Sequence, residues 1–382
     1  MKPGPIVITS LTPLRGIAAL LVAVYHFNGW IVAFVEPANS LFLAKCYMMV
    51  DLFFIMSGFI IMHVYKETFT SAITLKAFKN FLIARFARIY PLHFFTLLIA
   101  IAFFYIRHGG SGSRISNPAA IPTNLLLLQS FGVHKFPTWN VPSWSISAEW
   151  WAYVAFPVMC LFLFKKRLIA IIVMILFIVV AYISIMYFLP RHDPFNPAAI
   201  VPPTLDATFN YGFLRGLAGF MTGMLMYLLY LNIFIKKLFG SDIFCVICIS
   251  LIVVIMHFGL SDLIFIPMFA ILVLSLACNN STVSKVFNNR ILQFLGNISY
   301  SIYLTHAIVC LVIISALNLL HIRSQRPIIF PFLTGASLCL GYLLLVTAVS
   351  AVTYYIIEKP CRNWINQKWV KRPRTPLAIA VP

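Results

Sequence analysis

The sequence predicts an all-α polytopic membrane protein of about ten transmembrane helices, with both termini in the cytoplasm. Three observations predict it. Of 382 residues, 62% are hydrophobic and only 10% are charged, against about 25% charged in a soluble domain. Apolar runs of about 17–25 residues, long enough to cross the hydrocarbon as helices, recur from end to end. The basic residues sit in the segments between these runs, and mostly on one side. Length alone would allow two domains. No polar break divides the chain, however, so residues 1–382 are expected to form a single membrane body, with 365–382 as its basic cytoplasmic tail.

Spans are expected at 11–29, 44–64, 89–106, 144–164, 168–189, 211–233, 243–260, 263–278, 297–318 and 330–357. The first, "LTPLRGIAALLVAVYHFNGW", has no small-residue cleavage site and leads into further spans, so it reads as a helix and not as a signal peptide. The second contains "VDLFFIMSGFIIMHVY". The third follows "FLIARFARIYPLH", read as a cytoplasmic helix meeting the span. The segment 107–142 is rich in Gly, Ser and Pro, which excludes a regular helix. The fourth span begins in "WNVPSWSISAEWWAYVAFP" and ends at "KKR" (165–167), from which the fifth departs. Residues 190–210 hold five prolines and read as a second outer loop, a lid or acceptor-contact segment. The sixth span carries Gly212/Gly216 and Gly219/Gly223, two small-xxx-small pairs that favour close helix packing. The seventh contains Cys245 and Cys248 in "IFCVICISLIVV". With no second pair and no nearby His, they read as core filler, and no metal site is expected.

With this topology the inner segments hold Lys66, Lys76, Lys79, Arg85, Arg88, "KKR", "KK" at 236–237, Lys285, Arg290 and "KWVKRPR". The outer ones hold Lys45, Arg107, Arg114, Lys135, Arg191, Arg323 and Arg326. The net charge of +19 therefore reports topology and attraction to anionic lipid or an anionic ligand, and not nucleic acid.

Charges inside the spans point to a site, because an ionisable group at membrane depth is costly. Arg15 and His26 stand eleven residues apart on one span. That spacing turns about 1100° and rises roughly 16 Å, so the two fall nearly on one face. In a purely structural reading, Arg15 snorkels to the inner headgroups and His26 bonds a helix carbonyl. Ser145, Glu149 and Tyr153 share a face of the fourth span at i, i+4 and i+8. Asp51 and Arg215 lie in the second and sixth spans, and a structural ion pair is their obvious alternative. A carboxylate that sets the tautomer of a histidine prepares a general base, which makes His26 with Glu149 the more suggestive pair. Arg85 and Arg88, one turn apart, read either as a positive-inside anchor or as a guanidinium fork for phosphates.

Seven segments, "LRGIAALLVAVYHF", "VDLFFIMSGF", "RFARIYP", "PSWSISAEWWAY", "LRGLAGFMTGMLMY", "LGNISYSIYLTH" and "YYIIEKPCRNW", occur in the order found in acyltransferase family 3 membrane proteins, which the chain resembles across residues 11–364. Unlike larger members, it is expected to act without an appended extracytoplasmic SGNH-type esterase domain. The resemblance implies an O-acyltransferase of the bacterial inner membrane. It would move acetyl from cytoplasmic acetyl-CoA to a hydroxyl of an outer glycan, such as O-antigen, lipopolysaccharide or exopolysaccharide, with no permanently bound cofactor. Macrolide acylation also occurs in this family. Carried over, His26 is the catalytic base, Arg15 lies on the donor path, and Arg85 and Arg88 bind donor phosphates. Ser145, Glu149 and Tyr153 line the reaction centre or the acceptor entrance, with Asp51 and Arg215 as further substrate contacts. His306, Glu358, Lys359 and Arg362 match by pattern without an assigned role.

Direct transfer is the expected route, with an acyl-enzyme on Ser145 as the variant. A multi-pass transporter of a glycolipid or acyl donor accounts for spans and buried charges equally well. It would lead one to expect an inverted repeat, and none is detectable in the sequence.

Overall fold

The computed structural model describes residues 8–108, 115–189, 203–322 and 327–370. Its helices are α1 (Leu11–Trp30), α2 (Met49–Phe69), α3 (Leu75–His108), α4 (Ile121–Leu125), α5 (Trp144–Lys165), α6 (Arg167–Ile183), α7 (Gly212–Tyr230), α8 (Ile233–Phe239), α9 (Asp242–Phe258), α10 (Asp262–Cys278), α11 (Thr282–Phe287), α12 (Arg290–Asn297), α13 (Ser299–Leu319), α14 (Phe332–Thr353) and α15 (Lys359–Trp369). The fold is all-α and polytopic. Among the described residues, seven helical runs are long and apolar enough to cross a membrane, or eight if the α8–α9 pair, bent by 64°, is one span. Each of the ten predicted spans coincides with a helix. Not all pass that test: α10 is only 17 residues long, and α1 is diluted by Arg15, His26 and Asn28. Both termini, Arg114, Arg191, Arg323, Arg326 and most of the 190–210 loop lie outside the described residues.

One boundary differs in an informative way. The basic segment before the third span does not end where the span begins, because α3 runs unbroken for 34 residues with Pro91 in its interior. At 1.5 Å per residue it is about 51 Å long, well beyond a hydrocarbon core of ~30 Å. Lys76, Lys79, Arg85 and Arg88 all stand on the N-terminal part of this same helix. Two further elements escaped the sequence reading. Val32–Ala33 and Ile328–Ile329 form a two-stranded parallel pair, and Ile121–Leu125 is a short helix started by Pro122 in the segment expected to lack one.

Packing fixes the frame. A Cβ added at Gly58 would lie 1.9 Å from the Phe220 carbonyl oxygen, and one at Gly223 only 2.0 Å from that of Ile55. The backbones of α2 and α7 thus touch, as small residues permit in a membrane where apolar burial between helices supplies little drive. Gly16 meets Gly296 in the same manner, clamping α1 to α12. The largest core lies between α2, α5, α7 and α10, and a second joins α1, α13 and α14. Outward faces of α6, α9 and α14 stay apolar (Ile172, Leu176, Val246, Leu251, Leu340, Leu344), as lipid contact requires. After α14 the backbone widens into a π stretch, Tyr354–Glu358. Pro360, in the first turn of α15, has no N–H to continue the ladder. This stretch carries Glu358 inward to α3.

Candidate active site

A partly open cavity lies between α1, α2, α3, α5 and α13. Its lining gathers Arg15, Ser57, Arg85, Arg88, Ser145, Glu149, Tyr153, Tyr300 and Tyr303 among apolar residues of α2. Arg15 and the face of Ser145, Glu149 and Tyr153, predicted from helical spacing, therefore do converge, and they meet the arginine pair of α3.

Three guanidinium groups against one lining carboxylate make this an anion-seeking space. Arg85 donates to the Tyr65 hydroxyl at 3.1 Å and lies over the Tyr65 ring, 5.2 Å from its centroid. Arg88 pairs with Glu358, which also accepts from Ser301 Oγ at 2.8 Å. Both arginines are buried, at 7% and 6% exposure, yet Arg85 Nε and Arg88 Nη2 have no hydrogen-bond partner. An unsatisfied buried donor costs about 1–3 kcal/mol, so each of these nitrogens is left under-coordinated within the protein itself. Arg15 shares this lining, and it feels the charges of Arg88, Glu149 and Glu358.

Across the cavity, Glu149 accepts from Ser57 Oγ at 2.8 Å and from the Tyr153 hydroxyl. Both bonds fall on Oε1, and the one from Ser57 ties the carboxyl to α2. Ser145 Oγ donates to the Tyr303 hydroxyl at 2.8 Å and lies 3.2 Å from the Pro142 carbonyl. Tyr303 in turn donates to that carbonyl at 3.1 Å. No base stands among these partners of Ser145.

His26 departs from the sequence expectation. It does not pair with Glu149, and it is not among the lining residues of the cavity. The face argument fixes positions along each helix but not which neighbour the face meets: α5 turns Glu149 toward α2, whereas α1 turns His26 toward α13. Its Nδ1 lies 3.0 Å from the Val22 carbonyl and 3.0 Å from Nε2 of His306. The rings of Trp30 and Tyr25 pack on it at 4.2 and 5.0 Å.

Asp51 and Arg215 stand apart from the cavity. Arg215 Nε donates to Asp51 Oδ1 at 3.0 Å and Nη2 to Oδ2 at 2.5 Å, and both residues have no solvent exposure. Removing one partner of such a buried pair costs about 3–5 kcal/mol. Beside it, Asp262 accepts from Lys45 and from the Leu205 N–H, each at 2.6 Å, and from Tyr47. Sequence reasoning passed over Ser57, Tyr65 and Tyr303, which carry no charge to mark them. It left His306 and Glu358 without partners, although an ionisable group within a span was itself the signal.

A family model described as an acyltransferase domain matches residues 8–346. The chain is 40% identical over 95 residues to "Protein 2 in picA locus" of Rhizobium radiobacter, a stretch covering 25% of this chain and 44% of that protein. It is 32% identical over 173 residues to "Acyltransferase MdmB" of Streptomyces mycarofaciens, covering 41% of this chain and 40% of that protein. The chain thus spans less than half the length of each of these relatives. No solved structure matches.

Proposed function

The chain belongs to acyltransferase family 3, and from that premise we propose that it carries acetyl from acetyl-CoA to a hydroxyl of a glycan on the other side of the membrane. The observation that carries this reading is the gathering of Arg15, Arg85 and Arg88 in the lining of one cavity, with Arg85 Nε and Arg88 Nη2 left without internal partners. A donor whose phosphates bind there places its acyl arm along α1, past Arg15. The arm must cover the roughly 16 Å rise from Arg15 to His26.

At His26 the acceptor hydroxyl meets the thioester. The histidine takes the hydroxyl proton as the oxygen forms its bond to the carbonyl carbon. The carbon–sulfur bond breaks, and the CoA sulfur leaves as thiolate and is reprotonated. This one-step route fits the surroundings of Ser145, which has no base to activate it as a nucleophile. In this reading Arg85, Arg88 and the donor lie on the cytoplasmic side of the bacterial inner membrane, and the acceptor is a surface polysaccharide or its lipid-linked precursor.

The test uses purified protein in nanodiscs, radiolabelled acetyl-CoA and a lipid-linked glycan. Label on the acceptor, with free CoA released in equal amount, is the expected result. CoA binding without transfer to any glycan or small hydroxyl acceptor refutes it.

A further inference from the structure

The contact between His26 and His306 joins residues 280 apart in sequence, and its chemistry fixes where protons sit. His306 has no solvent exposure. Its Nδ1 lies 3.1 Å from the Ile302 carbonyl oxygen of its own helix. A carbonyl oxygen only accepts, so Nδ1 carries the hydrogen, and in the neutral ring Nε2 keeps a bare lone pair. That lone pair points at His26 Nδ1 at 3.0 Å, and His26 Nδ1 also has the Val22 oxygen at 3.0 Å. Facing two acceptors, His26 Nδ1 must itself be the N–H. The basic lone pair of His26 is then on Nε2.

We propose that His306 is the positioning residue of His26, selecting the tautomer in which Nε2 is free to take a proton and holding the ring in place. The inference rests on His26 being the base. The Val22 carbonyl alone offers one bond from an atom that moves with the same helix. His306 adds a second acceptor from α13, so the rotamer is fixed between two helices. The opposite tautomer would set three lone pairs against one another. When His26 takes up the acceptor proton, its Nδ1–H becomes a charged donor to His306 Nε2, and such bonds are roughly twice as strong as neutral ones. The support has its own anchors. Tyr342 donates to the His306 carbonyl at 3.2 Å, and Thr305 and Ser350 link α13 to α14 at 2.9 Å.

Four preparations in nanodiscs test this: the parent protein, His306→Phe, His306→Gln and His26→Gln. Each is assayed for acetyl transfer, and the parent and the His306→Phe variant are also labelled with ¹⁵N-histidine for solid-state NMR. Phenylalanine keeps a ring without an acceptor. Glutamine puts an amide oxygen close to where Nε2 stood. His306→Phe should lower kcat by about a hundredfold with the KM for acetyl-CoA unchanged, within the range for impaired general-base catalysis. His306→Gln should recover most of the rate. In the parent spectrum, His26 should be protonated on Nδ1 and bare on Nε2, and His306→Phe should mix the tautomers. A parent spectrum with His26 protonated on Nε2, or a His306→Phe rate equal to the parent beside an inactive His26→Gln, overturns the proposal alone. Full activity in His26→Gln overturns the assignment of the base, and this proposal with it.

Discussion

The two arginines of α3 look equivalent in the sequence but are not equivalent in the fold, and their alanine variants should differ. Arg85 has one internal bond, to Tyr65 at 3.1 Å, and its Nε is already unsatisfied. Arg85→Ala removes a hydrogen bond from a charged donor, worth about 1.5–3 kcal/mol, and at the same time removes an orphan donor whose burial costs about 1–3 kcal/mol. Its effect on folding should therefore be small. For a phosphate-bearing donor, the same change deletes a charge-assisted contact of about 1.5–3 kcal/mol, or roughly tenfold to a hundredfold in affinity. Arg88→Ala has a different effect, because it strips the guanidinium from Glu358, which is 1% exposed. Losing one partner of a buried pair costs about 3–5 kcal/mol, only partly offset by Arg362, whose Nη1 lies 3.8 Å away. The assay is paired: acetyl-CoA affinity by scintillation proximity on nanodiscs, and thermal unfolding followed by tryptophan fluorescence. Arg85→Ala should lose affinity at nearly unchanged unfolding temperature, with Arg85→Lys intermediate because the fork is lost. Arg88→Ala should unfold markedly earlier. Unchanged donor affinity in Arg85→Ala would refute the phosphate assignment and leave the pair as a topology signal.

Two other outcomes follow from the packing and the hydroxyl network. Gly58→Ala puts a methyl 1.9 Å from the Phe220 oxygen, so α2 and α7 must separate. Folded yield in detergent should collapse, and a normal gel-filtration profile would contradict the contact. Ser145→Ala should keep transfer within a few-fold of the parent and leave no covalent acetyl on the protein in quenched reactions. Trapping of an acetyl-enzyme at Ser145 would replace direct transfer with a two-step route.

What could be read from the chain follows the length scale of each signal. The spans were legible because hydrocarbon imposes an apolar length on every crossing helix, and the grouping of Ser145, Glu149 and Tyr153 on α5 because helical spacing is local. The continuity of α3 was not legible. The composition changes from polar to apolar near residue 88, but α3 runs through that change without ending. The pairings of His26 with His306 and of Arg88 with Glu358 depend on the side-by-side order of helices more than 200 residues apart. No periodicity within one span encodes that order. The expected pairing of His26 with Glu149 failed for this reason: α1 brings His26 to His306 of α13, whereas α5 brings Glu149 to Ser57 of α2.

The central claim is that His26 is the base. His26→Gln keeps a polar side chain that can donate toward Val22 and His306 but cannot take up a proton near neutral pH. Single-turnover transfer from labelled acetyl-CoA to glycan, measured at saturating donor and acceptor, isolates the chemical step. The account predicts a rate about 10²–10⁴ lower than the parent, the usual cost of losing a general base, with acetyl-CoA affinity unchanged. A glutamine variant that transfers acetyl within a few-fold of the parent rate would contradict it.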